Sequence, residues 1–112
     1  MDPELKKVAC ELERDVNCNM AMVFLKEKNY TKAVEKATNS LKVEKTTKAY
    51  YRRGKAYALK NDFENAYCDF EAGKALDQAE SKLFDSEIAK TKKSEKVYDR
   101  ESSKKLMGFL NK

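Results

Sequence analysis

"KEKNYTKAVEKA" (Lys26 to Ala37) and "LKNDFENAYCDF" (Leu59 to Phe70) carry the same punctuation 33 residues apart. Each holds an Asn-containing turn, then an aromatic residue, Tyr30 or Phe63, then an alanine three positions on, Ala33 or Ala66. The match extends backwards: Asn19 falls on Arg52, Ala21 on Gly54, Phe24 on Tyr57 and Leu25 on Ala58. Small meets small and aromatic meets aromatic, which is the mark of an internal structural repeat. Asn29 and the pair Asn61-Asp62 suit a helix stop followed by an N-cap, because Asn tolerates the left-handed conformation and both side chains accept bonds from free backbone N–H groups. The repeated unit reads as helix–turn–helix.

The flanks agree. Leu5, Val8, Leu12, Val16, Met20, Val23 and Phe24 advance by threes and fours, and so do Tyr50, Gly54, Tyr57 and Ala58. Asp2-Pro3 is the expected cap and first residue of an opening helix. No segment alternates apolar and polar for long enough to make a strand, so the fold class is all-α. Two helices approach to about 8–10 Å only where small side chains face larger ones. Ala21, Ala33, Gly54 and Ala66 supply that relief, and close contact offsets the roughly 0.5–1 kcal/mol that Gly54 costs inside a helix.

With 112 residues, 41% hydrophobic and 38% charged, the chain is one small domain or part of one. It contains no His, which removes the common Ser-His and Cys-His nucleophiles and argues against an enzyme. Cys10, Cys18 and Cys68 are odd in number and lack CxxC spacing, so neither a disulfide framework nor a metal site is expected, and no cofactor motif is present. No apolar run approaches the ~18 residues of a membrane span and no signal peptide precedes the charged start, which suggests a cytoplasmic or nuclear protein.

The net charge of +5 is confined to one end. Residues 90–112 hold eight Lys and Arg against three acids, and residues 1–89 hold sixteen of each sign. The body of the chain therefore lacks the broad positive footprint of a nucleic-acid-binding surface.

A helical hairpin of about 34 residues with this small–aromatic–aromatic–Ala spacing resembles the tetratricopeptide repeat, TPR. Residues 14–46 resemble one repeat and 47–80 the next, with the opening helix extended back to residue 3, so that residues 1–80 form the repeat region. The likeness is stronger in the second repeat. Ala37 stands where an aromatic is usual, and no Pro closes either repeat. "NMAMVFLK", then "TKAYYRRGKAYALKNDFENAYCDF", then a charged helix with "EKVYDRESSKKLMGFL" resemble the C-terminal TPR domain of large FKBP-type immunophilins and the forty-kilodalton cyclophilin. Those domains hold three repeats, and this chain resembles one that begins at the second.

In that frame Lys48 and Arg52, at i and i+4, share one face of a helix that lines a groove. Asn19 would lie beside them on the neighbouring helix. Two cations and an amide make a carboxylate receptor. The resemblance implies that Asn19, Lys48 and Arg52 fall on positions of the carboxylate clamp, which holds the C-terminal Met-Glu-Glu-Val-Asp of the ninety-kilodalton heat-shock chaperone. Met22 and Lys55 are further groove contacts, for the peptide's Val and a Glu. Arg53 falls on the other side of the helix. The family's first repeat adds a Lys and an Asn that have no counterpart here, so the clamp is partial.

Residues 81–112 read as one basic amphipathic helix through Leu83, Phe84, Ile88, Val97, Tyr98, Leu106, Phe109 and Leu110, with the spacing broken only around Thr91. It would cap the last repeat, and its basic apolar end also suits calmodulin or an anionic membrane. The apolar face of the opening helix, Leu5, Val8, Leu12 and Val16, has no evident partner and is expected to self-associate. The leading reading is a co-chaperone docking module. The alternatives are a prolyl isomerase whose catalytic domain lies before residue 1, with no chemistry in this chain, and a TPR scaffold with another client.

Overall fold

The structure is a computed structural model that describes residues 2–111; Met1 and Lys112, the outer ends of the two segments read from the sequence, lie outside the described residues. Five α-helices follow one another: α1 (Pro3–Lys26), α2 (Tyr30–Val43), α3 (Thr47–Leu59), α4 (Phe63–Leu76) and α5 (Ser81–Leu110). A single 3-10 turn, Gln78–Glu80, leads into α5, and there is no strand among the described residues. The fold is all-α, two helical hairpins and a long C-terminal helix.

The helix starts follow from short polar side chains that accept bonds from free N–H groups. Asp2 accepts from the Glu4 N–H at 3.0 Å, Asn29 from Lys32 at 3.3 Å and Thr46 from Ala49 at 3.2 Å. Asp62 begins α4 and accepts from the Asn65 side-chain amide at 2.8 Å. The two hairpin turns close identically. Asn29 N–H reaches back to Phe24 O and Asp62 N–H to Tyr57 O, both at 2.9 Å, across a residue of positive φ. That residue is Asn61 (φ 66°) in the second turn and Lys28 (φ 62°) in the first. Asn29 therefore acts as the cap alone, and the left-handed step falls on the Lys before it.

Packing is set by alanines. Ala21, Ala33, Ala37, Ala49, Ala56 and Ala66 are fully buried, which lets the paired helices sit close. Ala66, Phe70 and Phe84 form the centre of the core, with Tyr51, Tyr57, Ala58 and Ile88 packed around them. A Cβ on Gly54 would stand 2.6 Å from Phe70 Cε1, so the glycine is there for the ring. Gly73 is pressed against Phe84 in the same way.

Two side chains tie helices through polar contacts. Ser40 Oγ donates to the Arg14 carbonyl at 2.8 Å, joining α2 to α1. Arg53 joins three helices. Its Nε and Nη2 donate to the two oxygens of Asp69 on α4, its Nη1 donates to Thr38 Oγ1 on α2, and the guanidinium lies 5.9 Å from the ring centres of Tyr50 and Tyr57. Asp69 is buried. The Asp69 hydrogen bond, opposed by burial, pushes the Arg53 guanidinium up, while burial pushes the Asp69 carboxyl up against the pull of Arg53.

Helix α5 is continuous through Thr91. That residue is buried and its hydroxyl donates to the Glu87 carbonyl at 2.7 Å, so the apparent break in apolar spacing is a core position filled by a satisfied hydroxyl. The first half of α5 packs on α4 through Phe84 and Ile88, and further on Tyr67 donates to Glu95 at 3.0 Å and Phe63 meets Tyr98 edge-on at 5.7 Å. Residues 99–110 are exposed throughout, and the molecule is elongated, 68 × 28 × 18 Å.

Candidate functional site

The candidate site lies between α1, α3 and the start of α5. Helix α3 returns to the same face every third or fourth residue, so Lys48, Tyr51 and Arg52 share one face. A cavity of about 360 Å³ opens there, lined by Met22 and Leu25 of α1, by Thr47, Lys48, Tyr51 and Arg52 of α3, and by Glu80, Leu83 and Phe84 at the start of α5. Its wall is mostly apolar with a few charged groups, the usual make-up of a peptide or small-ligand site.

Lys48 is exposed at this cavity, and among the described residues no ion pair involves it. Its charge acts through space on Asp15, whose carboxyl is held below its ordinary value first by the hydrogen bond from Arg14 and then by Lys48. Arg52 is placed differently from Lys48. It is only 9% exposed, and Nη1 lies 2.6 Å from the Cys18 carbonyl oxygen and 3.2 Å from the Cys18 sulfur. Nη1 also approaches Asn19 Oδ1 at 3.5 Å, and Nη2 lies 3.4 Å from Met22 Sδ. Arg52 thus bridges α3 to α1 and still forms part of the cavity wall.

The sequence-derived residues Asn19, Lys48, Arg52 and Met22 are brought together. Arg52 touches Asn19 and Met22, and Lys48 shares the cavity with Arg52 and Met22. Asn19 is exposed, and its Oδ1 is turned to Arg52. Lys55 is set apart. Its Nζ lies 3.6 Å from Glu87 Oε2 and 5.6 Å from the Tyr51 ring centre, outside the cavity lining.

Sequence reasoning missed the contribution of α5. Glu80, Leu83 and Phe84 close one side of the cavity, and Glu87 holds Lys55 and accepts from the Tyr51 hydroxyl at 3.2 Å. The signal was available: Phe84, Glu87, Ile88 and Thr91 fall at i, i+3, i+4 and i+7, one buried stripe containing two polar residues. Among the described residues no group of three or more Cys, Asp and Glu side chains converges as a metal site would need, and no helix is long and apolar enough to cross a membrane.

Among curated proteins, the chain is 35% identical over 109 residues to a protein named peptidyl-prolyl cis-trans isomerase D of Kluyveromyces lactis; the match covers 83% of this chain and 29% of that relative. The chain therefore spans less than a third of the length of that relative. No family model matches, and no solved structure gives a significant match.

Proposed function

We propose that the chain is a TPR-type docking module that holds the C-terminal carboxylate of an acidic peptide, with Lys48, Arg52 and Asn19 as a partial carboxylate clamp and Met22 against a neighbouring apolar side chain. The observation that carries this reading is Lys48, an exposed cation without an ion-pair partner among the described residues, at the mouth of a largely apolar cavity that it shares with Arg52. A carboxylate there gains a charge-assisted bond from Lys48 without first breaking an internal one. The ligand proposed is the Met-Glu-Glu-Val-Asp end of the ninety-kilodalton heat-shock chaperone. The likeness to an isomerase of which this chain spans 29% supports a parent co-chaperone whose prolyl isomerase domain lies outside these residues.

Titration with Met-Glu-Glu-Val-Asp as free acid and as C-terminal amide, on wild type and on Lys48→Glu, tests this. The free acid is expected to bind wild type at least about tenfold more tightly than the amide, since a charge-assisted bond contributes roughly 1.5–3 kcal/mol. Lys48→Glu is expected to abolish that difference. Equal binding of acid and amide by wild type would reject the clamp.

A second reading has its own observation. Leu106, Met107, Phe109 and Leu110 are all exposed beside Lys104 and Lys105, the composition of a calmodulin-binding helix. Calcium-dependent co-migration with calmodulin, lost on truncation before Lys104, tests it.

A further inference from the structure

Helix α3 presents a third cation along the face of Lys48 and Arg52, and the structure disposes of it. Lys48 and Lys55 are seven residues apart, two turns along one face, which places them about 10 Å apart along the axis. An extended peptide advances about 3.3 Å per residue. With its terminal carboxylate at Lys48, the residues about two and three positions upstream come within reach of Lys55. An unpaired lysine there would favour an acidic side chain.

Lys55 is not unpaired. Glu87, 5% exposed, sets Oε2 3.6 Å from Lys55 Nζ; its Oε1 accepts from the Tyr51 hydroxyl at 3.2 Å and lies 3.6 Å from Lys90 Nζ. The carboxylate is fixed from below, because Phe84, Ile88 and Thr91 on the same stripe of α5 are packed into the core or buried. Lys55 is fixed from the side, over the face of Tyr51. A ligand acid would have to displace an internal acid whose ordering entropy is already spent in folding, or sit beside it and meet its charge.

We propose that Glu87 is a specificity-determining residue of the groove. By holding Lys55 it confines carboxylate recognition to Lys48 and Arg52, so that the site takes one carboxylate at the chain end and gains nothing from a second acid upstream. This rests on the docking reading above. It also separates the two lysines, one open to the ligand and one closed by α5.

The test uses fluorescence anisotropy with three free-acid peptides, Met-Glu-Glu-Val-Asp, Met-Gln-Glu-Val-Asp and Met-Glu-Gln-Val-Asp, on wild type, Glu87→Gln and Lys55→Gln. Wild type is expected to bind all three within about twofold. Glu87→Gln keeps an acceptor for Tyr51 and frees Lys55, so the all-Glu peptide is expected to bind it about threefold or more tightly than at least one Gln peptide. Lys55→Gln is expected to leave the wild-type ratios unchanged. A wild-type preference for the acidic peptide that Lys55→Gln removes overturns the proposal. So does a folded Glu87→Gln, checked by circular dichroism, whose ratios match wild type. If Glu87→Gln does not fold, the Lys55→Gln ratios decide alone. Wild type that distinguishes no free acid from its amide overturns the docking reading and this inference together, whereas Glu87→Gln ratios that match wild type, or a wild-type acidic preference that Lys55→Gln removes, with the free-acid preference intact overturn this inference alone.

Discussion

Arg53 and Asp69 are joined by two parallel hydrogen bonds, Nε to Oδ2 at 2.8 Å and Nη2 to Oδ1 at 2.7 Å, across the interface of α3 and α4. The Asp69 side chain is 5% exposed and that of Arg53 22%, so removing one partner strands the other in a poorly hydrated place. Arg53→Ala is expected to destabilise by about 2–4 kcal/mol, and Arg53→Lys to recover less than half of that, because an ammonium cannot make both bonds. Urea denaturation of both variants and of the Arg53→Ala/Asp69→Ala pair checks this. Costs that simply add would show that the two residues are not coupled.

Gly54 and Gly108 separate helix propensity from packing. Both lie inside helices, where Ala is favoured over Gly by about 0.5–1 kcal/mol. Gly108 has open space around the missing Cβ, whereas Gly54 faces Phe70. Gly108→Ala is expected to raise helicity and leave folding intact. Gly54→Ala is expected to destabilise by about 1–3 kcal/mol through overpacking. Thermal melts that move in the same direction for both would contradict the contact.

Tyr67 gives the fold a pH dependence at the alkaline end. Desolvation under α5 and then the Glu95 carboxylate push its hydroxyl up to about 12. Below its unfolded value, near 10, both states keep the proton and the full contribution is present. As the pH rises from about 10 to about 12 the unfolded chain releases the proton and the folded chain retains it, so stability falls through that window. Urea midpoints at about pH 9 and about pH 11 are expected to drop more for wild type than for Tyr67→Phe, and an equal drop would remove Tyr67 as the cause.

The apolar face of α1 is uncovered. Leu5, Val8, Leu12 and Val16 are between 50% and 63% exposed along the first part of a helix whose later part, around Cys18 and Ala21, is buried against its neighbours. Sedimentation is expected to show concentration-dependent association of wild type that Leu12→Glu abolishes, with a stability change within about 0.5 kcal/mol because the site is exposed. A wild-type monomer at millimolar concentration would end the idea.

How far the sequence reached follows from what each feature depends on. The hairpins were legible because their signals are local: the caps at Asp2, Asn29 and Asp62 and the small–aromatic spacing all act within a few residues. The left-handed step at Lys28 was not, because a Lys carries no preference for that conformation and is placed there by the closing bond from Asn29 to Phe24. The grouping of Asn19 with Arg52 was legible from the repeat register. The disposition of the charges was not. Whether Arg52 points into solvent or back to Cys18, and whether Lys55 is free or held by Glu87, depends on contacts between helices separated by up to 34 residues in sequence. Thr91 shows the same limit, since a polar residue in an apolar stripe reads as a break until its hydroxyl is seen bonded within the helix.

The bond from Arg52 to the Cys18 carbonyl makes one guanidinium serve two purposes, a rivet between helices and a wall of the cavity. A chain that had lost its ligand would still keep this arginine, because replacing it would open the seam between the hairpins. Retention of Arg52 in a lineage is therefore silent about peptide binding, and loss of binding in Arg52→Ala would merge two causes. Lys48, exposed and in no ion pair among the described residues, is the position where selection for a ligand can be read by itself.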